Sequence, residues 1–470
     1  MGKNNKKINA VNVGLMSFVV IFGFMNVING LAFFDGLSVI PVWIIGIAFY
    51  FIPYSLICGE LGSTFANEKS GVSAWALRVS GPKLAFFAGW TFWAAQIPYI
   101  SQKASKVMVA FGWVVYQDNS LSLIYPVYTQ VTTLVIFLLA TFVATRGLNL
   151  IKTLSTFAGA AILGMTMLFI ILVAFGVTAL PQNFQFSFSG SDINPFTKPE
   201  NFLNISVIIL ALGGAETLSP YTSRMKNRSV YSRGIIVCGV LIVISAILGS
   251  LATAILLGGN QMPDDMATNG AYVAFQLLGQ KLGCGNILMV LYAICDTIAQ
   301  FSVLVIFVDV PLRIFLGCAQ PKDKIIPAGL LKTNKRGTFI NGQILQIIIV
   351  AAVTLFPISG IGNVDVLIKG IVKLTSICNP LGYLWVFIAY ILYKERINKF
   401  KPGPYVFIRN KKFECFVAAW CFALTIISSL VGMYDENHFL MLMNVSVPIA
   451  LIIICQIFPI IARRTNKQAE

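Results

Sequence analysis

Apolar runs of roughly 20 residues, the length a helix needs to cross the hydrocarbon core of a bilayer, recur along this chain from Val11 to Ile461. No other feature restricts the fold as much. Backbone groups in lipid must be paired within their own segment, so each run is read as a helix. The expected spans are 11–33, 41–62, 84–113, 126–145, 153–179, 202–222, 233–257, 286–316, 341–357, 365–393, 413–433 and 439–461. They leave no stretch for a separate soluble domain, so 1–470 is read as one membrane domain. The charge content agrees. Only 11% of residues are charged, where a soluble protein of this size carries roughly a quarter.

The net charge of +16 suggests nucleic acid until the charges are placed. Most lie in short loops on alternate sides of the spans. One set of loops holds Lys69, Arg78 and Lys83, then Arg146 and Lys152, then Arg224, Lys226, Arg228 and Arg233. It continues with Arg313, Lys322, Lys324, Lys332, Lys335 and Arg336, and then Lys394, Arg396, Lys399, Lys401, Arg409, Lys411 and Lys412, with Arg463, Arg464 and Lys467 after the last span. The opposite loops hold Asp35, Asp118, Asp192, Asp264, Asp265, Asp435 and Glu436, with Lys198 and Lys281 as basic exceptions. This asymmetry predicts both termini in the cytoplasm and an even number of spans. It makes the lipid bilayer of a cell (inner) membrane, not nucleic acid, the partner of the charge. Met1 to Lys7 reads as a cytoplasmic leader into the first span, because no small-residue cleavage site follows it.

Two spans carry residues that do not suit a plain lipid-facing helix. The first contains Phe22-Gly23-Phe24-Met25-Asn26 and, further on, Asn29-Gly30. The sixth contains Leu212-Gly213-Gly214-Ala215-Glu216, with Pro220 close behind. A Gly pair, a carboxylate and a Pro so close together predict a break at mid-depth. Spans one and six head two successive five-span sets, 11–179 and 202–393, with 413–461 as a peripheral pair. Interruptions at matching places in two halves point to an inverted-repeat transporter whose site lies at the midplane. The chemistry follows from the breaks. Freed amides at a half-helix N-terminus attract a carboxylate, and freed carbonyls at a half-helix C-terminus hold an ammonium. The carboxylate of an amino acid is expected on amides near Gly23 to Asn26, and its amine on carbonyls near Leu212 to Gly214. The bland reading, that Gly23, Gly30, Gly213 and Gly214 merely allow close helix packing, covers any one of them more easily than both clusters together.

These stretches resemble the amino acid–polyamine–organocation superfamily. Cys58-Gly59-Glu60-Leu61-Gly62-Ser63-Thr64-Phe65, followed by Lys69-Ser70-Gly71-Val72-Ser73-Ala74-Trp75, is similar to that family's segment at the end of helix two. It departs from the pattern at Ser70, where Gly is usual, and at Ser73-Ala74, where Tyr is usual. Gly214 and Glu216 resemble the family's helix-six turn. Phe22 to Val27 sits where the family has its unwound segment, and the bulky Phe24 and Met25 look more like the glutamate/GABA-antiporter branch. The resemblance implies an all-α, LeuT-type fold of ten core and two peripheral helices. It also implies secondary transport of amino acids or related amines, with spans one, two, six and seven rocking against three, four, eight and nine. Exchange is the mode expected from the branch, and proton-coupled symport is the alternative.

Ionisable residues at membrane depth are functional candidates because their desolvation must be offset. Glu216, the helix-six acid by resemblance, is read either as a proton carrier or as an anchor for loose backbone. Asp296 shares a face of span eight with Ala293 and Thr297. It is read as a cation or proton site, or as the partner of a nearby Lys. Lys103 and Lys106 follow Gln96 and Pro98 in span three. Either one is a candidate to neutralise Asp296 or Glu216, to face a substrate carboxylate or to snorkel to the outer surface, and with Pro98 near mid-span snorkelling is the expected fate, at least for Lys106. Lys369 and Lys373 open span ten, with Lys373 the deeper. Asp309 and Arg313 are an expected structural or gating ion pair. Phe22, Trp93, Tyr99, Tyr292 and Trp385 are candidates to close over a substrate.

The remaining classes fare poorly. The nine Cys are scattered, mostly in apolar runs, with no metal or disulfide spacing, and no cofactor motif is present. No nucleophile elbow, P-loop or His cluster supports an enzyme, and no ATP-binding domain supports primary transport. An ion channel would favour a short pore unit over twelve spans. A non-transporting nutrient sensor would want more cytoplasmic chain than the loop at 317–340. No oligomeric state is read from the sequence.

Overall fold

The computed structural model describes residues 7–34, 36–120, 126–187, 193–195, 201, 204–258, 266–320, 323–358 and 364–465. Asp35, Asp192, Lys198, Asp264, Asp265, Lys322 and Lys467, and the side chain of Lys369, lie outside the described residues. Twelve spans are present among the described residues. Ten of the described segments are long and apolar enough to cross a membrane. The other two are span three, Pro82–Val115, which is long but carries Gln96, Gln102, Lys103 and Lys106, and span six, which is split.

Span one is two helices, Ala10–Ile21 and Phe24–Phe33. Phe22 and Gly23 between them are both extended, so the i to i−4 ladder stops there. Asn26 repairs part of the damage. Its side-chain amide donates to the carbonyl of Ile21 at 2.9 Å. The second helix is pinned by Phe24, whose ring packs against Phe169, Phe275 and Tyr292.

Span six begins as the helix Ile205–Ala211 and ends as a short 3-10 helix, Ser219–Arg224. The second half is therefore not the α-helix that the run 202–222 suggested. Pro220 has no amide to give, and the chain tightens instead to three-residue turns, Ser219 N–H to Glu216 O at 2.8 Å and Tyr221 N–H to Leu218 O at 3.0 Å. Gly214 carries φ of +101°, a conformation that costs side-chain-bearing residues about 1–2 kcal/mol. The ring of Tyr383 lies where a side chain on Gly213 would go.

Pro residues elsewhere are absorbed. Pro98 sits inside an unbroken span three, so the distortion expected there does not interrupt the helix. In span two, Val39–Gly46 and Ile52–Thr64 are joined by a π-helical turn, Ile47–Phe51. Pro53 cannot bond the carbonyl of Phe49, and the indole of Trp420 donates to it at 3.1 Å.

The remaining spans are Pro126–Ala144, Leu148–Ala179, Val230–Leu257, Ile287–Leu316, Ile340–Leu355, Val364–Glu395 and Lys411–Gly432, with a twelfth in two pieces, His438–Ile454 and Ile457–Thr465. Two connecting helices obey the same symmetry as the breaks. Val72–Ser80 follows span two, and Gly71 at its start nests on Ser219 and Pro220 of span six. Met266–Lys281 follows span seven and packs on the second helix of span one. The segments around Ile8 and Phe458, near the two limits of the described residues, lie at one end of the bundle. Ile8 exchanges backbone hydrogen bonds with Arg224 and Lys226 at 3.3 and 3.0 Å, and Phe458 packs on Phe86 and Phe315.

One basic residue assigned to a loop is instead core. Lys394 is 1% exposed, between Glu60 at 2.6 Å and Glu414 at 2.7 Å. Tyr390 donates to both carboxylates, and the amides of Phe407 and Ile408 add one bond to each. The cluster ties span two to spans ten and eleven and to the loop between them.

Candidate functional site

A cavity of about 970 Å³ lies where the two breaks meet. Its floor is Gly23, Met25 and Asn26 of span one and Gly213, Gly214 and Glu216 of span six. Its walls come from spans three, eight and ten. It runs away from the terminus-bearing end towards the exposed loop at Tyr434 and Asp435. The other direction is shut. There Tyr221 of span six donates to Asp309 at 2.7 Å, Asp309 pairs with Arg313 at 2.6 Å, and Arg313 reaches the carbonyl of Gly337 at 3.0 Å.

The broken backbone supplies both signs of partial charge. The amides of Phe24 and Met25, the first two of the helix Phe24–Phe33, have no carbonyl one turn back, whereas the amide of Asn26, expected to be free, is taken by the carbonyl of Gly23 at 2.9 Å. A Cβ on Gly23 would meet nothing within 4 Å, so the backbone there faces open space. On the span-six side, the amide of Thr217 occupies the carbonyl of Gly214, and the hydroxyl of Tyr231 occupies that of Ala215. Leu212 and Gly213 close the last turn of Ile205–Ala211 through their amides. Those two amides take the carbonyls of Ile208 and Leu210, and helix geometry leaves those of Ile209 and Ala211 without an intrahelical partner.

Glu216 is fully buried and accepts a hydrogen bond from the hydroxyl of Tyr54 on span two. Its second oxygen has no partner among the described residues. Asn29 Oδ1, Gln96 Oε1, Asn379 Oδ1 and the indole N–H of Trp43 are also unpartnered, and all belong to residues that line the cavity. An unsatisfied buried polar atom costs roughly 1–3 kcal/mol. Several around one void mark the place where water or a ligand completes the bonding.

Asp296 is 3% exposed, and both of its oxygens are taken, one by the Tyr272 hydroxyl at 2.6 Å and one by Gln300 Nε2 at 2.9 Å. The other end of Gln300 accepts from Lys103 at 3.1 Å, so the acid and the base are joined through an amide instead of touching. Lys106 lines the same cavity one turn along. It does not leave for the surface as expected.

The remaining candidates divide. Phe22 packs edge-to-face on Trp43, and Phe24 sits in its aromatic cluster, so these two contribute backbone, not rings, to the break. Leu212 is buried away from the void. The hydroxyl of Thr297 bonds back to the carbonyl of Ala293 at 2.7 Å and stays out of the cavity wall. Lys373 stands at the mouth, bound to Asp435 and to the carbonyl of Tyr434, both at 2.5 Å. Asp435, one of the acids of the opposite loops, is therefore paired. Its partial burial pushes the carboxyl up, but the Lys373 hydrogen bond, the hydrogen bond from the Asn437 amide and the Lys373 charge together outweigh this and hold it below its usual range. Of the aromatics expected to close over a substrate, only Tyr99 reaches the cavity. Trp93 donates to Gln346, Trp385 donates to Thr91, and Tyr292 stacks on Phe275. Trp43, Gln300, Asn379 and Tyr383 were missed. They are ordinary residues in apolar stretches, and nothing local in the sequence distinguishes them from packing.

The chain matches the family model described as amino acid permease over residues 8–455. It is 36% identical to the aspartate/glutamate permease AcaP of Lactococcus lactis subsp. cremoris (strain MG1363), covering 99% of this chain and 97% of that protein. It is 23% identical to the inner membrane transporter YjeM of Escherichia coli (strain K12), covering 84% of each. Among solved structures, a manganese transporter mutant of Eremococcus coleocola superposes with a TM-score of 0.59 at 11% identity, over 100% of this chain and 97% of that one. At that identity the likeness speaks for the fold alone, which is the LeuT-type arrangement that the family resemblance implied.

Proposed function

We propose that this chain, which belongs to the amino acid permease family, carries dicarboxylic amino acids across the cell membrane with both termini in the cytoplasm. Family membership makes it a multi-pass transporter of an amino acid, not an enzyme. The acidic cargo is our reading. The observation that carries it is the pair of ammonium groups, Lys103 and Lys106, in the wall of the cavity between the two breaks. An ammonium at membrane depth is costly without an anion, and a side-chain carboxylate supplies one. AcaP, whose name specifies aspartate and glutamate, is 36% identical and supports the same class.

In this reading the α-carboxylate rests on the first amides of Phe24–Phe33, and the α-ammonium lies between the free carbonyls of span six and the open oxygen of Glu216. The structure has the cavity open towards Asp435 and shut at Tyr221–Asp309–Arg313. Rocking of spans one, two, six and seven against three, four, eight and nine would exchange the open and shut ends. The basic loops put the shut end in the cytoplasm.

Exchange of one substrate for another is the proposed mode, on the likeness of span one to the glutamate/GABA branch. Proton symport is the second reading, favoured by Glu216, a buried acid with one free oxygen in the site. Counterflow separates them. Purified protein goes into liposomes preloaded in turn with each amino acid and common amines, and labelled uptake is followed without an ion gradient. Strong stimulation by internal aspartate or glutamate is the expected result and establishes exchange. Uptake of these two only under an inward proton gradient selects symport. Stimulation confined to neutral or cationic substrates would overturn the acidic cargo.

A further inference from the structure

The two cavity lysines are not equivalent. Lys103 is held on every side. It donates to Gln300 at 3.1 Å, Gln300 passes the contact to Asp296 at 2.9 Å, and the ammonium stands 5.1 Å from the centre of the Tyr99 ring. Asp296 is the nearest anion on that wall, and its oxygens are already filled by Gln300 and Tyr272. The unit Lys103–Gln300–Asp296 is therefore electrically closed, a positive and a negative charge bridged by an amide. Lys106 lies on the same face of span three, three residues on, and makes no hydrogen bond or ion pair with any described residue. Its ammonium borders the void. The unpartnered acceptors Asn29 Oδ1, Gln96 Oε1 and Glu216 Oε1 belong to other residues of its lining. One free cation and several free acceptors complement a solute with an ammonium and one carboxylate more than the helix break can hold.

We propose that Lys106 is the specificity-determining residue, binding the side-chain carboxylate of the cargo, and that Lys103 is a positioning residue that fixes Gln300 and Asp296 in the wall. This rests on the acidic-cargo reading above. A rigid, charge-balanced Lys103 shapes the wall for any amino acid. Lys106 distinguishes aspartate and glutamate from asparagine and glutamine, which match them in size but leave the ammonium without an anion. A site with a buried charged group discriminates strongly against a ligand that leaves that group unpaired.

The test compares uptake of aspartate, glutamate, asparagine and glutamine by the wild type, Lys106→Gln, Lys106→Arg and Lys103→Gln in proteoliposomes. In Lys106→Gln the kcat/KM for the acids is expected to fall by on the order of 10–100-fold, as for loss of a hydrogen bond to a charged group. Uptake of the amides should hold or rise, so the preference reverses. Lys106→Arg should keep the acidic preference. Lys103→Gln should lower all four substrates by similar factors and leave the preference in place. If Lys106→Gln fails to insert, Lys106→Met, which keeps the apolar stem, gives the same readout. Unchanged acid-over-amide preference in either neutral Lys106 variant would overturn the assignment, as would a reversal produced by Lys103→Gln instead. A wild type that does not prefer the acids at all would instead overturn the reading on which the assignment rests.

Discussion

The molecule contains two buried polar clusters of opposite character. Around Lys394, two carboxylates, one ammonium, a tyrosine hydroxyl and two backbone amides satisfy one another. Around the breaks of spans one and six, buried and half-buried polar groups end on a cavity with loose valences: Glu216, Asn29, Gln96, Asn379 and Lys106. Burial of charge is common to both, so burial alone does not identify a site. What separates them is completion. A closed cluster fixes one arrangement of spans two, ten and eleven. An open one waits for a partner that comes and goes, which is what a carrier needs.

The comparison can be broken by substitution on either side. Lys394→Met leaves Glu60 and Glu414 facing each other in the core, and loss of one partner from a buried ion cluster costs about 3–5 kcal/mol. We expect a large fall in inserted protein and in melting temperature. Substrate preference in the protein that survives should not change, and Glu60→Gln with Glu414→Gln in the same chain should restore much of the loss. A Lys394→Met protein of full stability but altered selectivity would erase the distinction between the clusters.

On the open side, Gly214→Val should abolish substrate binding while the protein still inserts. The backbone there, at φ of +101°, is hostile to a β-branched side chain. Unchanged uptake would refute the site. Glu216→Gln is nearly isosteric and should leave counterflow within a few-fold, a change of less than about 1 kcal/mol. A response to an imposed proton gradient that disappears in this variant would move the coupling proton onto Glu216.

The smallest effect is expected at the mouth. Lys373–Asp435 is partly exposed, with side-chain accessibilities of 31% and 17%, and such pairs contribute roughly 0–1 kcal/mol. Asp435→Asn should change the apparent KM by no more than a few-fold. Since the carboxyl is held low, its contribution is complete above the ordinary aspartate value of 3.8 and is lost only as pH falls through the lower folded value. The tie should therefore be insensitive to pH across the neutral range. A KM that steps near pH 6 in the wild type and not in Asp435→Asn would contradict that.

The spans and breaks were legible because they rest on local signals. Membrane-length apolar runs announce helices, and Gly213-Gly214 with Pro220 announces an interruption. The site was half legible for the same reason. Gly23, Met25, Asn26, Gly213, Gly214 and Glu216 border the void because the backbone itself opens there. Residues whose role depends on which way a regular helix is turned were misjudged. Lys106 was expected at the surface and lines the cavity. Lys394 was expected in a loop and is core, because its partners Glu60 and Glu414 are distant in sequence. Phe22 and Phe24 were read as part of the binding surface, yet their rings anchor the break from behind. Hydropathy reports depth in the bilayer, but it does not report rotation about a helix axis once every face of the helix is apolar.

The central claim is that an acidic amino acid sits between the breaks of spans one and six. The most direct measurement is an experimental structure of the protein with aspartate or glutamate bound. We predict ligand density between Gly23 and Gly213, with the α-carboxylate at the amides of Phe24 and Met25 and the second carboxylate at Lys106. Density confined to the mouth near Lys373 and Asp435, with the space between the breaks empty, would contradict it.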